Sequence, residues 1–368
     1  MMQKKRLSTG ILIFICYLIP VVLKAQMPEI RQGIQTSSIA YYGFILPHHP
    51  EMKVFTDHHI QAWEIDLAET TMGSKRWQWS YAYPVLGASL FYSNLGQTGI
   101  LGEVFAAIPY VDFPLLRGKE SSLMFRFGTG LGWFTQTFDR ISNYKNTAIG
   151  SHLNAAISLQ MAGDLALAPR LSFRPGLSFI HFSNGATRVP NYGINFVAVN
   201  AGFSYMLVAP RGEHIVWEPK PVKPRPEFLT IVTGTVKEIF PVGGEKYFAG
   251  NLAIDVRSMV SNHFLAGAGL DITYDVSDRE VLRRLGKTIK DLETLKYALN
   301  VHGGVQLGRL DLCLHVGAYL YQEDTSDGWI YDKITATYNL YGPWLLNLTL
   351  KTHFARADFV AGGIGFKL

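Results

Sequence analysis

The stretch "HFSNGATRVPNYGIN", His181 to Asn195, holds a histidine, a serine and three asparagines within fifteen positions. A serine hydroxyl is a poor nucleophile near neutral pH, so Ser183 needs a base, and His181 stands two residues before it. A third group must hold the imidazole in one tautomer, and the Asn195 amide is placed to accept from it. Backbone amides at Asn184 and Gly185, or the Asn191 side chain, are the candidates for stabilising an oxyanion. Together these residues describe the cleavage of an ester or amide.

Alternating strands must position them. Along 171–183, Leu171, Phe173, Leu177 and Phe179 share one face with His181 and Ser183, while Ser172, Arg174 and Ser178 take the other. Along 195–207, Asn195 shares a face with Val197, Val199, Phe203 and Tyr205. If the apolar face meets lipid, all three polar residues lie on an outer wall. The connection at 163–169 is tight, whereas 136–148 and 184–193 are longer and polar. Barrels keep short turns on the periplasmic side, so the site is expected at the outer-leaflet end, near the acyl esters of a lipid headgroup.

The segment resembles the active-site segment of the lipid A 3-O-deacylases, the PagL-type outer-membrane esterases, also grouped with acyloxyacyl hydrolases. The matching residues are His181, Ser183, Asn184, Pro190, Asn191 and Gly193, in order and spacing. The resemblance extends over roughly 30–207 as an eight-stranded barrel and does not extend to 227–368. It implies His181 as base, Ser183 as nucleophile, and lipid A or lipopolysaccharide as substrate. One position departs: the family's third catalytic residue is a glutamate, and Asn195 stands there. An amide orients the imidazole without stabilising its charged form; Glu64 and Glu103 are the alternative third residues.

The rest of the chain fits this setting. Of 368 residues, 48% are hydrophobic, 13% aromatic and 17% charged. Lys4, Lys5 and Arg6 precede an apolar run from Ile11 to Leu23, and Ala25 suits cleavage, so 1–25 reads as a signal peptide. Removing Lys4, Lys5, Arg6 and Lys24 from 34 basic residues leaves 30 against 29 acidic ones, which gives no basis for nucleic-acid binding. Only Cys313 then remains, which excludes an intramolecular disulfide and a thiolate metal cluster. No later run is long enough for a helical span.

Long alternating runs such as "SLMFRFGTGLGWF" predict an all-β, antiparallel transmembrane barrel. Eight or nine strands are expected in 26–208, one of them near 75–83. A proline-rich linker follows at 209–226, with five prolines from Pro210 to Pro226. Residues 227–368 read as a second barrel-like region with a helical insert near 277–297, on the spacing of Val281, Leu282, Leu285, Ile289, Leu292 and Leu295. One larger barrel of up to about 16 strands is the alternative. The ending "AGGIGFKL" suits outer-membrane barrel assembly.

Other candidates are weaker. His48 and His49, or His58 and His59, are loop histidines that more often meet solvent than metal. His353, in "HFARA", has Ala355 where a nucleophile would stand, and Asn347, Thr349 and Lys351 place it on the lumen face. No metal or organic cofactor is implied. The function expected is an outer-membrane serine esterase acting on lipid A. The competing readings are a non-enzymatic barrel (pore, adhesin or structural protein) and an esterase for another acylated lipid. A lumen filled by side chains favours the enzyme over the pore.

Overall fold

The computed structural model describes residues 31–368 apart from 220, 288, 289, 355 and the side chain of Asp291. The expected signal peptide lies outside the described residues. Eight strands pair antiparallel in chain order: β1 (Gly33–Ile45), β2 (Ile60–Thr70), β3 (Val85–Ser93), β4 (Val104–Arg117), β5 (Ser121–Phe134), β6 (Leu153–Ala168), β7 (Leu171–Ser183) and β8 (Ile194–Val208). β8 returns to β1, with Phe196 opposite Ile45, and closes a barrel. A second set follows: β9 (Glu227–Glu238), β10 (Lys246–Met259), β11 (Phe264–Asp275), β12 (Leu295–Leu307), β13 (Leu310–Tyr321), β14 (Ile330–Asn339), β15 (Trp344–His353) and β16 (Arg356–Lys367). Gly363 of β16 pairs with Thr233 of β9, so this set closes on itself as well. The protein is therefore two eight-stranded barrels, and the single larger barrel falls away.

Period-two alternation explains both walls. In β5, Met124, Arg126 and Phe134 are buried while Leu131 and Trp133 are exposed. Exposed Trp63, Ile65, Leu67, Leu177 and Val199 continue the apolar outer surface, as Val301, Val316, Leu348 and Ile364 do on the second barrel. Charge lies inside and hydrocarbon outside, the distribution of a barrel set in lipid. Among the described residues no helix is long and apolar enough to cross a membrane.

Side chains fill the first lumen. Arg126 reaches Glu64 at 2.7 Å, Asp112 at 2.7 Å and Asp66 at 3.3 Å, and its guanidinium lies 3.4 Å from the Tyr110 ring centroid. Arg174 adds a second contact to Asp112 at 3.0 Å. Nearer the site, Ile39, Phe91, Phe134, Ile180, Phe182 and Phe196 form an apolar core. No aqueous channel is compatible with that packing.

Two sequence expectations change. Residues 75–83 form no strand: a short helix, α1 (Arg76–Ser80), begins there, and the Gln78 side chain accepts from Lys75 N at 3.1 Å and Ser74 Oγ at 3.0 Å. Ala82 and Tyr83 then turn with positive φ, which an extended strand does not allow. The insert expected at 277–297 is a shorter helix, α2 (Val276–Arg284), capped by Asp275 accepting from Ser277 N at 2.9 Å. Ile289 lies outside the described residues, Asp291–Thr294 is a 3-10 turn, and Leu295 already belongs to β12.

The barrels stand side by side and touch at both ends. At the tight-turn end, Tyr81 Oη donates to His263 O at 3.1 Å, and His263 Nε2 meets Ser80 O. The linker is tied there too, with Ile215 N donating to Met72 O at 2.9 Å and Trp217 Nε1 to Gly73 O at 2.8 Å. At the long-loop end, Glu238 N donates to Ala186 O at 2.9 Å. That second contact bears directly on the site.

Candidate active site

β7 and β8 place His181 directly opposite Asn195 in the ladder. Their even neighbours, Ile180, Phe182, Ile194 and Phe196, are buried in the lumen, which fixes the opposite, outward direction for His181, Ser183 and Asn195. His181 Nδ1 lies 2.6 Å from Asn195 Oδ1. Asn195 Nδ2 in turn lies 2.9 Å from His48 Nδ1, and His48 Nε2 lies 2.6 Å from Tyr192 O.

These four groups set one another's polarity. A carbonyl only accepts, so His48 Nε2 carries a proton and, in the neutral ring, Nδ1 accepts. The Asn195 amide must then turn its NH2 to His48 and its oxygen to His181. That oxygen accepts from His181 Nδ1–H, which leaves His181 Nε2 as the basic nitrogen. Burial pushes the His48 imidazole below its ordinary value, with its backbone partner Tyr192 opposing, so the neutral ring is favoured. From the sequence alone His48 is a loop histidine with no expected part in the site. The signal for it is barrel closure: β1 returns beside β8, and Leu46 N donates to Asn195 O at 2.8 Å.

Ser183 Oγ accepts from Asn191 Nδ2 at 2.8 Å and from Gly185 N at 3.2 Å. Its own proton is therefore the one it can give. Among the described residues no hydrogen bond joins Ser183 to His181, though both line the same cavity. Such contacts commonly tighten only when substrate is bound. Gly193, at φ +75°, packs beside both: a Cβ there would lie 3.0 Å from His181 Cε1 and 2.9 Å from Phe182 O.

Of the three oxyanion candidates, Gly185 and Asn191 aim donors at the hydroxyl, and Asn184 does not. The Asn184 N–H is used by Asn191 Oδ1 at 3.1 Å, and its side chain donates to Ser151 Oγ at 3.0 Å and Arg188 O at 2.9 Å. Asn184 shapes the loop that carries the donors. Glu64 is held in the lumen by Arg126 and Tyr41, and Glu103 accepts from Tyr92 at 2.8 Å. Neither lines the cavity that holds Ser183.

The wall carrying these residues faces the second barrel. A cavity of about 290 Å³ lies in the seam, lined from one side by His48, His181, Ser183 and Asn191 and from the other by Glu238, Asp278, Asp327 and Arg356. Gly185 has φ +60°, and a Cβ on it would sit 2.2 Å from Val360 Cγ2 of β16. Glu238 Oε2 accepts from Val189 N at 3.4 Å. The loop that supplies donors to Ser183 is thus packed against β9 and β16. His353 lies in the second lumen, where Tyr319 Oη and His353 Nε2 are 3.0 Å apart, although the cavity's far wall reaches it.

Residues 62–204 match the family described as lipid A 3-O-deacylase (PagL), and residues 227–368, where the sequence resemblance is not expected to reach, match the acyloxyacyl hydrolase C-terminal domain. No curated protein matches the chain. Among solved structures, a Rhodopseudomonas blastica porin triple mutant is 8% identical over 92% of this chain and 100% of its own, with TM-score 0.17. The Pseudomonas putida toluene transporter TodX is 5% identical over 93% and 90%, with TM-score 0.19. Similarities that small carry no argument. The two family matches follow the two barrels in order, and the chain belongs to the PagL family of lipid A 3-O-deacylases and acyloxyacyl hydrolases, which act on the acyl esters of lipid A.

Proposed function

We propose that the protein is an outer-membrane serine esterase that removes an ester-linked acyl chain from lipid A in the outer leaflet. The observation that carries this reading is the directed chain from Tyr192 O through His48 and Asn195 to His181, which leaves Nε2 of His181 free to act as base. Ser183 Oγ attacks the acyl carbonyl as its proton passes to His181 Nε2. The Gly185 N–H and the Asn191 amide, aimed at the hydroxyl at rest, are the donors nearest the developing oxyanion. Collapse breaks the ester bond, and His181 returns the proton to the leaving sugar hydroxyl. Water, activated by the same imidazole, then releases the fatty acid from Ser183.

Asn195 holds the tautomer but adds no negative charge, so the imidazolium is stabilised less than beside a carboxylate. The filled first lumen supports an enzyme rather than a pore. The test is incubation of purified protein with lipopolysaccharide, followed by lipid A mass analysis. Loss of one hydroxyacyl mass in the wild type and none in Ser183→Ala supports the reading. No mass change across several detergents, or equal loss in both proteins, overturns it.

A further inference from the structure

The second lumen contains a group of side chains that the esterase reading does not use. Asp255 of β10, His302 of β12 and His315 of β13 are 6%, 7% and 3% exposed, and each offers a ligand atom within 4.8 Å of the other two. They line a cavity of about 20 Å³, the scale of a single ion or water. The strands turn four other carboxylates into this lumen, and each has a cation close by. Asp271 meets Lys333 at 2.6 Å and Asp311 meets Arg257 at 2.7 Å, while Lys237 serves both Asp275 and Asp358. Asp255 has no ion pair within 4 Å among the described residues: Asn300 hydrogen-bonds its carboxylate, Lys333 and Arg257 line the same cavity without reaching it, and its Oδ1 has no hydrogen-bond partner. A buried carboxylate left in that state is costly.

The two imidazoles are already oriented. Nδ1 of His302 and Nδ1 of His315 lie 3.0 and 3.1 Å from one acceptor, Asn300 Oδ1, which fixes both rings; Nε2 of His315 lies 3.1 Å from Thr335 Oγ1, a hydroxyl contact that a cation at this nitrogen would replace. An amide oxygen behind a histidine is the usual outer support of a metal ligand. On β11, which lies between β10 and β12, Gly267 and Gly269 leave room: a Cβ would lie 2.3 Å from His302 Nε2 and 1.8 Å from Asp255 Oδ1.

We infer that Asp255, His302 and His315 form a structural site for a zinc-type divalent cation within the second barrel. Two nitrogens and one oxygen suit such an ion, and its bonds of about 2.1 Å need ligand atoms about 3.4 Å apart, a closure of at most about 1.4 Å from a spacing within 4.8 Å. Bound there, the cation offsets the Asp255 charge and ties β10 to β12 and β13 across β11.

The experiment uses the full-length protein in detergent, stripped with chelator, reloaded with Zn2+ or Co2+, and dialysed. About one equivalent of zinc is expected to remain in the wild type, and Co2+ should give the visible absorption of a tetrahedral site. Asp255→Asn and His315→Gln should each weaken zinc binding at least about 100-fold, since even outer-shell changes cost 10–100-fold. Heat-modifiable mobility on gels reports barrel closure in each variant. If a variant fails to close, the wild-type stoichiometry and the Co2+ spectrum decide alone. Less than a tenth of an equivalent in the wild type, or unchanged zinc binding in a closed Asp255→Asn barrel, overturns the proposal.

Discussion

The penultimate strands of the two barrels, β7 and β15, each bring a His-Phe pair to the long-loop end: His181-Phe182 within β7, and His353-Phe354 with the histidine as the last residue of β15. In β7 the phenylalanine is buried in the lumen and the histidine faces out; in β15 the histidine is buried and Phe354 is exposed. One residue of phase reverses which side chain meets the lumen. The hairpin tips differ as well. Between β7 and β8, residues 184–193 supply Gly185 and Asn191 to Ser183, whereas only residues 354 and 355 separate β15 from β16. Outward phase and a long tip together allow chemistry on one barrel, while the second contributes a wall.

The sharpest way to break this comparison is to exchange the histidines' importance. Ser183→Ala and His181→Ala should each lower hydrolysis by at least about 10⁴-fold, measured as fatty-acid release. His353→Gln should lower it no more than about threefold and mainly loosen the contact with Tyr319. A large loss in His353→Gln would place catalysis on both barrels.

The second test concerns the wall. Gly185→Ala puts a Cβ against Val360, and a displacement of about 1 Å at the donors should cost on the order of 10²-fold in kcat. Val360→Ala in the same chain should recover part of that loss; the φ of +60° at residue 185 prevents full recovery. No effect of Gly185→Ala would mean that the loop does not depend on the second barrel.

Asn195 gives a smaller, more informative change. Asn195→Asp places a carboxylate beside the His181 imidazole and favours its protonated, non-basic form. The acid limb of kcat/KM should therefore move to higher pH by about one unit or more. In the wild type, His48 must remain neutral to accept from Asn195, and burial lowers its pKa. Its contribution is complete above about pH 6.5 and is lost as pH falls through the lowered folded value. His48→Ala should reduce kcat about tenfold at neutral pH and flatten the acid side of the profile.

The smallest expected effect is at the other end of the seam. Tyr81→Phe removes the bond to His263 O and should cost about 0.5–1.5 kcal/mol in urea unfolding, with kcat unchanged. A fall in kcat comparable to that of Gly185→Ala would show that the two contact points act as one unit.

Much of the molecule was legible because strand parity is a strong local signal. Leu123 to Trp133 and Leu171 to Ser183 alternate without a break, and the structure keeps their faces. Trp77, Trp79, Tyr81 and Tyr83 alternate too, yet they belong to α1 and its turn. There the Gln78 cap and the register of β2 with β3, Thr70 opposite Val85, leave no place for another strand. The helix near 277–297 was overextended, since apolar spacing alone could not show that the β11–β12 register starts at Leu295 opposite Tyr274. The juxtaposition of His181, Ser183 and Asn195 was legible from a single hairpin because β7 and β8 are neighbours in sequence. His48 and Val360 were not, because they arrive through barrel closure and barrel–barrel packing across distant parts of the chain.

The central claim is that Ser183 is a nucleophile activated through His181 and Asn195. A lipid-like phosphonate ester, incubated with the folded protein in detergent, tests it by intact mass and peptide mapping. One covalent adduct is expected, on Ser183, formed at least about 10²-fold more slowly in His181→Ala. An adduct on another residue, or labelling of Ser183 at the same rate without His181, would contradict it.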